Sequence, residues 1–152
     1  MQPTTSSVLQ TPAPLPSDSA AYMQAKLAFH TDAWDVAEDL KAGVDEIVVV
    51  DTRAHGHYLA GHIPGAISFP HRTIDAQSTA GLDRKKTYVT YCDGIGCNGS
   101  TQRAYKLAAL GFKVKEMLGG VDFWLRDGHP LVNGEAAGGL APNLPPSSCG
   151  CA

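Results

Sequence analysis

The sequence predicts an α/β fold built on a parallel sheet, and three stretches carry that expectation. Ile47 to Val50 is a continuous apolar run, as a strand buried on both faces of a parallel sheet requires. Thr87 to Phe112, TYVTYCDGIGCNGSTQRAYKLAALGF, opens with a β-rich run to Tyr91 and passes through Cys92 into a glycine-studded loop. It then settles into apolar residues at helical spacing, Ala104, Leu107 and Ala108. Val114 to Leu118 supplies a further strand, followed at once by Gly119-Gly120 and a new helical segment.

In chain order, Met1 to Ser19 is rich in Pro, Thr and Ser with little to bury, and is expected to form a mobile tail without chemistry. A short helix is expected around Ala20 to Phe29, with Met23 and Leu27 on one side. Thr31 offers the N-cap of a second helix, in which Ala33, Val36, Ala37 and Leu40 fall at i, i+3, i+4 and i+7. Asp32 and Asp35 lie in its first turn, where negative charge suits the helix dipole, and Gly43 stops it. After the strand at Ile47, His55 to Gly61 reads as a short helix and His62-Ile63-Pro64-Gly65 as a turn. Ala66 to Phe69 is another strand, with Pro70, His71 and Arg72 just past its end. Ser100 or Thr101 is expected to cap the helix after the cysteine loop, and Gly111 to end it with Phe112 making the hydrophobic contact. Val121 to Arg126 starts the last helix, with Trp124 in the core. Residues 132–152 turn to Gly, Pro, Ala and Asn and read as a flexible arm ending in Cys149 and Cys151. The expected organisation is therefore a tail at 1–19, a domain at 20–131 and an arm at 132–152.

With 152 residues, 43% of them hydrophobic, the chain suits a single domain with a substantial core. The formal net charge of −3, with both signs interspersed, points away from nucleic acid and from anionic membrane surfaces. No stretch is long and apolar enough to cross a bilayer, and Met1 to Leu15 lacks signal-peptide character, so a cytoplasmic location is expected. The four cysteines are too few and too unevenly placed for a disulfide framework, which favours reactive thiols.

Cys92 sits where a strand hands over to a helix, and ligands of open α/β sheets bind outside the carboxyl ends of the strands. Gly94, Gly96 and Gly99 can take the positive φ angles of a tightly curled loop, turning backbone N–H groups inward. Those donors and the N-terminus of the following helix form an anion-binding nest, which favours a thiolate at its centre. The plain alternative is a buried structural cysteine. His55, His57 and His62 do not make a metal site: His55 and His57 are two apart and share no helical face.

DTRAHGHYLAGHIPGAISFP at Asp51 to Pro70, YCDGIGCNGS at Tyr91 to Ser100 and LGGVDFWLRDGHPL at Leu118 to Leu131 resemble, in order, the signatures of a single-domain rhodanese. The resemblance covers about Ile47 to Leu131. It implies a central, mostly parallel sheet flanked by helices on both faces, and a sulfurtransferase that carries a persulfide on Cys92. It also implies that Asp51 and Arg53 brace the scaffold and that His62 hydrogen-bonds within its turn. Cys92 is then the catalytic residue. Asp93, Gly94, Ile95, Gly96, Cys97, Asn98 and Gly99 form the loop around the substrate. His71 and Arg72 supply charge or hydrogen bonds to the donor, or are plain surface residues.

Three departures from the family outline matter. Against the outline Cys-Arg-x-Gly-x-Arg-Ser, this loop holds two more residues. Phosphatase-like relatives place an arginine after five intervening residues, where this chain has Asn98, so a phosphatase reading loses its main cation. Asp93 stands where thiosulfate-using rhodaneses often have an arginine, and a carboxylate there would repel the dianion. Cys97 either resolves an oxidised or persulfidated Cys92 or packs against the underside of the loop. The two C-terminal thiols could relay sulfur, bind a soft metal or do nothing.

The expected function is thus a cofactor-free, metal-free sulfurtransferase. Cys92 would take sulfur from thiosulfate, a persulfide or a polysulfide and pass it to a thiol acceptor, small or protein. A thiol redox enzyme using Cys92 and Cys97 is the alternative enzyme class. A non-catalytic interaction or sulfur-carrier module is the third reading.

Overall fold

The structure, a computed structural model, describes residues 5–141. The expectations for Cys149 and Cys151 lie outside the described residues. Five strands, β1 (His30–Thr31), β2 (Ile47–Asp51), β3 (Ile67–Ser68), β4 (Thr87–Tyr91) and β5 (Lys113–Met117), form one sheet in the order β1-β5-β4-β2-β3. Every pairing in it is parallel. The helices are α1 (Pro16–Phe29), α2 (Ala33–Ala42), α3 (His55–Ala60), α4 (Gly99–Ala109) and α5 (Gly120–Arg126).

Successive strand residues point to opposite faces, and the two faces have separate cores. Val49, Val89 and Tyr91 meet Val36 and Ala37 of α2, Tyr58 of α3 and Trp124 of α5. Val50 and Tyr88 meet Leu107 of α4 and Phe112. β4, which leads to Cys92, is the middle strand and is covered on both sides. That places Cys92 at the centre of the sheet's carboxyl edge.

Local structure departs from expectation where a side chain has a better partner. Asp32, not Thr31, caps α2, its carboxylate accepting from Asp35 N at 2.9 Å, because Thr31 is taken up in β1. Gly43 ends α2 at φ 71° as expected. α1 begins at Pro16, inside the stretch expected as tail, with proline in its first turn where no N–H is needed. Met23 and Leu27 remain exposed on it. Neither Ser100 nor Thr101 caps α4: both lie inside the helix, which starts at Gly99 after an Asn98 that makes no capping bond. At the other end Gly111 takes φ 92° and Phe112 N donates to Leu107 O at 3.1 Å, as expected.

The stretch 132–140, expected to be flexible, is docked on the domain. Val132 pairs with His62 through two backbone bonds of 2.8 and 2.9 Å, Gly65 N donates to Ala137 O at 2.7 Å, and Gly134 N to Leu59 O at 2.9 Å. Leu140 is only 9% exposed and joins the α2 and α5 core. Composition alone concealed this, because backbone groups make most of the contacts and small residues permit them.

Candidate active site

The segment leading into Cys92 is fixed by its backbone. Tyr91 O accepts from Thr52 N at 3.1 Å and from Thr52 Oγ1 at 2.7 Å. Cys92 O accepts from Val121 N at 3.0 Å, and Asp93 O from Asp122 N at 2.9 Å. A helix leaves its first N–H groups without internal partners, and here the cysteine loop supplies acceptors for those of α5. Gly120 makes the approach possible. It takes φ 57°, and a Cβ there would collide with the Cys92 carbonyl oxygen and lie 2.8 Å from Asp93 C.

Cys92 is 5% exposed and joined to Cys97 by a disulfide whose Cα atoms are 6.3 Å apart, within the usual span for such a bond. Cys97 Sγ is therefore bonded to Cys92 Sγ instead of lying free beneath the loop. Cys97 N donates to Gly94 O at 3.1 Å, closing the turn that brings the thiols together. The three loop glycines do not adopt the positive φ expected of them. Gly99 is required for a different reason. A Cβ at that position would stand 3.0 Å from Cys92 Sγ, 3.2 Å from Cys97 Sγ and 3.3 Å from Arg103 Nη1. Gly94 and Gly96 have ordinary space around them.

A cavity of about 190 Å³ opens beside the disulfide. Cys92 and Cys97 line it together with Gly94, Ile95, Gly96 and Asn98 of the loop, and the opposite wall is residues 116–120. Ser100 and Thr101 bring the uncapped N-terminus of α4 to its edge. That end of the helix carries partial positive charge and N–H donors, so the cavity suits an anion beside the sulfur.

Asp93 is placed apart from the cavity lining: its side chain is 64% exposed and pairs with Arg53 Nη1 at 3.3 Å, which draws its charge away from the position expected for a donor. The carboxylate that does line the cavity is Glu116, whose Oε2 is buried without a hydrogen-bond partner. His71 and Arg72 are also apart from the site. They follow β3 at the sheet edge, two strands from β4 or roughly 10 Å across the sheet, and Arg72 is not among the cavity's lining. Arg72 is exposed to solvent.

Arg103 was missed in the sequence. It is 9% exposed on the buried face of α4, its Nη1 donates to Gly99 O at 2.9 Å, and its Nε has no partner. Burial pushes its pKa down. Its position three residues after Ser100 and four before Leu107, both buried, marks it as a cation on the inner stripe of the helix. The contacts around Gly99 hold its guanidinium within two van der Waals contacts of both sulfurs.

Beneath the loop lies a second polar layer. Asp51 is fully buried and takes Arg53 in a two-pronged pair, Nε to Oδ1 at 3.0 Å and Nη2 to Oδ2 at 2.7 Å. Tyr91 Oη donates to Asp51 Oδ2 at 2.8 Å and accepts from Ile63 N at 3.1 Å, while Arg53 Nη2 reaches Gly61 O at 2.6 Å. Burial pushes the Tyr91 phenol up and the nearby Asp51 charge adds to it. For Arg53, burial acts downward, but Asp51 outweighs it and raises the pKa. His62 is buried with Nδ1 2.8 Å from Tyr58 O and Nε2 3.1 Å from Ala136 O, so its ring ties α3 to the docked 132–140 stretch instead of bonding within its own turn. Among the described residues no cluster of His, Cys, Asp and Glu is arranged to hold a metal.

The rhodanese-like domain family matches residues 35–127. The chain belongs to that family. A curated relative of this rhodanese-like domain, the HTH-type transcriptional regulator Rv0324 of Mycobacterium tuberculosis, is 34% identical over 93 residues. The match takes in 61% of this chain and 41% of the relative, so the chain spans about two fifths of that protein's length. The crystal structure of the BH2092 protein from Bacillus halodurans superposes with a TM-score of 0.77 at 38% identity, covering 81% of this chain and 90% of that one. A thiosulfate sulfurtransferase from Pseudomonas aeruginosa is similar at TM-score 0.58 and 26% identity, over 76% of this rhodanese-like domain chain and 22% of its own. No helix among the described residues is long and apolar enough to cross a membrane.

Proposed function

We propose that this rhodanese-like protein is a sulfurtransferase that takes a sulfane sulfur onto Cys92 as a persulfide and passes it to a thiol acceptor. One observation carries the reading: Cys92 borders a cavity that also meets the uncapped N-terminus of an eleven-residue helix, beside a buried arginine with no acid partner among the described residues. In the reduced protein the Cys92 thiolate attacks the outer sulfur of a donor, and the donor's remainder leaves as sulfite from thiosulfate or as a thiolate from a persulfide. The α4 terminus and Arg103 stabilise the persulfide anion as charge moves onto the outer sulfur. No cofactor takes part. A thiol that must be reduced before it accepts sulfur fits a reducing compartment such as the cytoplasm.

The test is an intact mass measurement on the reduced protein after exposure to thiosulfate or to a low-molecular-weight persulfide, with peptide mapping. Transfer to an added thiol acceptor should be lost in Cys92→Ser while its circular dichroism stays that of the parent. A Cys92→Ser protein that still transfers sulfur at the parental rate ends the proposal.

A further inference from the structure

We propose that Cys97 gives this site a second activity, the reduction of bound sulfane sulfur to free sulfide; the inference rests on persulfide formation at Cys92. A site that only relays sulfur needs one thiol. Here a second sulfur is within bonding distance of the first, and the loop is built around the pair. The Cα atoms of Cys92 and Cys97 stand 6.3 Å apart, the Gly94 to Cys97 hydrogen bond closes the intervening turn, and Gly99 leaves out the one side-chain atom that would press on both sulfurs.

The chemistry follows from which sulfur Cys97 can reach. In Cys92–S–SH the inner sulfur is Sγ of Cys92, the atom to which Cys97 is bonded in the structure. Attack of the Cys97 thiolate on that atom forms the Cys92–Cys97 bond with the thiolate electron pair. The bond to the outer sulfur breaks, and that sulfur leaves with its proton as HS⁻. Two electrons have moved from the two cysteines to the sulfane sulfur, which becomes sulfide while the cysteines become a disulfide. The disulfide is the resting product seen in the fold. An external dithiol returns it to two thiols by two exchange steps and is itself oxidised to a disulfide.

The cavity provides for the leaving group. Its volume of about 190 Å³ exceeds the roughly 30 Å³ share of one water in the liquid, so a sulfide ion has room beside the reacting pair. Because both thiols belong to one short loop, Cys97 acts at an effective concentration of millimolar or more, and a dilute external acceptor competes poorly with it. The site therefore behaves as a transferase only where the acceptor is abundant.

A single-turnover experiment separates this inference from the reading it rests on. The full chain is reduced, freed of reductant without air and mixed with excess thiosulfate, whose leaving group is sulfite, so sulfide arises only in the second step. The wild type is expected to release one sulfide per chain and to yield a mapped Cys92–Cys97 disulfide. Cys97→Ala, with Cys97→Ser as a second variant of nearly parental size, should lose the sulfide burst and accumulate one added sulfur on Cys92. If the wild type accumulates the same persulfide as the variants and releases no sulfide, the reductive step is overturned and sulfurtransfer stands. A disulfide mapped from Cys92 to Cys149 or Cys151 also overturns it. If neither wild type nor variants take up sulfur, persulfide formation itself fails and both readings fall.

Discussion

Two buried arginines flank the cysteine loop, and they are treated in opposite ways. Arg53 lies against a fully buried Asp51 with two parallel hydrogen bonds, a backbone carbonyl on its remaining edge and Asp93 beyond. Arg103 is just as enclosed, yet among the described residues it has a single backbone acceptor, a bare Nε and no carboxylate. Removing a charge from water is costly, and the first site offsets that cost internally. The second leaves it standing, close to the two sulfurs of the loop, where the proposed persulfide anion would form. A paired cation holds a scaffold; an unpaired one beside a nucleophile is available to the anion that chemistry creates.

The largest effect should come from breaking the paired site. Asp51→Asn leaves Arg53 with only the exposed Asp93 carboxylate as an anionic partner and is expected to destabilise by about 3–5 kcal/mol, read from urea unfolding. A loss under about 1 kcal/mol would show that the two arginines are not different in kind. Arg103→Met should do the reverse. Stability should change by less than about 1.5 kcal/mol, because a lone buried charge is replaced by an apolar chain at the cost of one hydrogen bond. Alkylation of the reduced Cys92 thiol near pH 7 should slow about tenfold, the factor that 1.4 kcal/mol of thiolate stabilisation supplies. An unfolded Arg103→Met with unchanged alkylation in the surviving native fraction would put Arg103 in the same class as Arg53.

The two acids near the loop sharpen the contrast. Glu116 lines the cavity and Asp93 does not, so Glu116→Gln should raise turnover with thiosulfate by about threefold to tenfold at low salt, an advantage that shrinks as salt rises. Asp93→Asn should stay within about twofold of wild type. The opposite order in steady-state rates would return Asp93 to the substrate side. The smallest effect concerns His129, a buried group that avoids the cost by remaining neutral. Burial pushes its imidazole pKa down, with Lys41 next in effect, and its Nε2 has no partner. The unfolded chain then takes up this proton near the ordinary value of about 6.5, before the folded one does, so stability should fall as pH drops below that value. The slope from this one group is at most about 1.4 kcal/mol per pH unit. His129→Gln should flatten that limb of a stability profile measured between about pH 7 and 5, and an unaltered limb would assign it elsewhere.

β2 was readable because a doubly buried parallel strand has no polar alternation to confuse it, and Ile47 to Val50 has none, whereas the two-residue β1 at His30–Thr31 was too short to leave a pattern. Cys92 was readable too, since a cysteine between a β-rich run and a helical pattern has few other places to lie. What sequence patterns did not reveal was partnership across the chain. Asp93 looked like a substrate contact until Arg53, forty residues away, claimed its carboxylate. Glu116 and Arg103 drew no reading from the sequence, and packing places the one on the cavity wall and the other near Gly99 of the loop. Residues 132–140 looked unstructured because their attachment runs through carbonyls and amides, which every residue possesses. Gly94, Gly96 and Gly99 signalled a special loop correctly but for the wrong reason, since the need at Gly99 is for space.

That space has a consequence in descent. A methyl group at position 99 would crowd the sulfurs of residues 92 and 97 together, so alanine is disfavoured for as long as both thiols stay in register. In a lineage that lost the thiol at position 97, one of those two close contacts would vanish and position 99 would be freer to drift. Positions 97 and 99 are thus bound to one another across generations of related sequences, and the second can record whether ancestors still used the first.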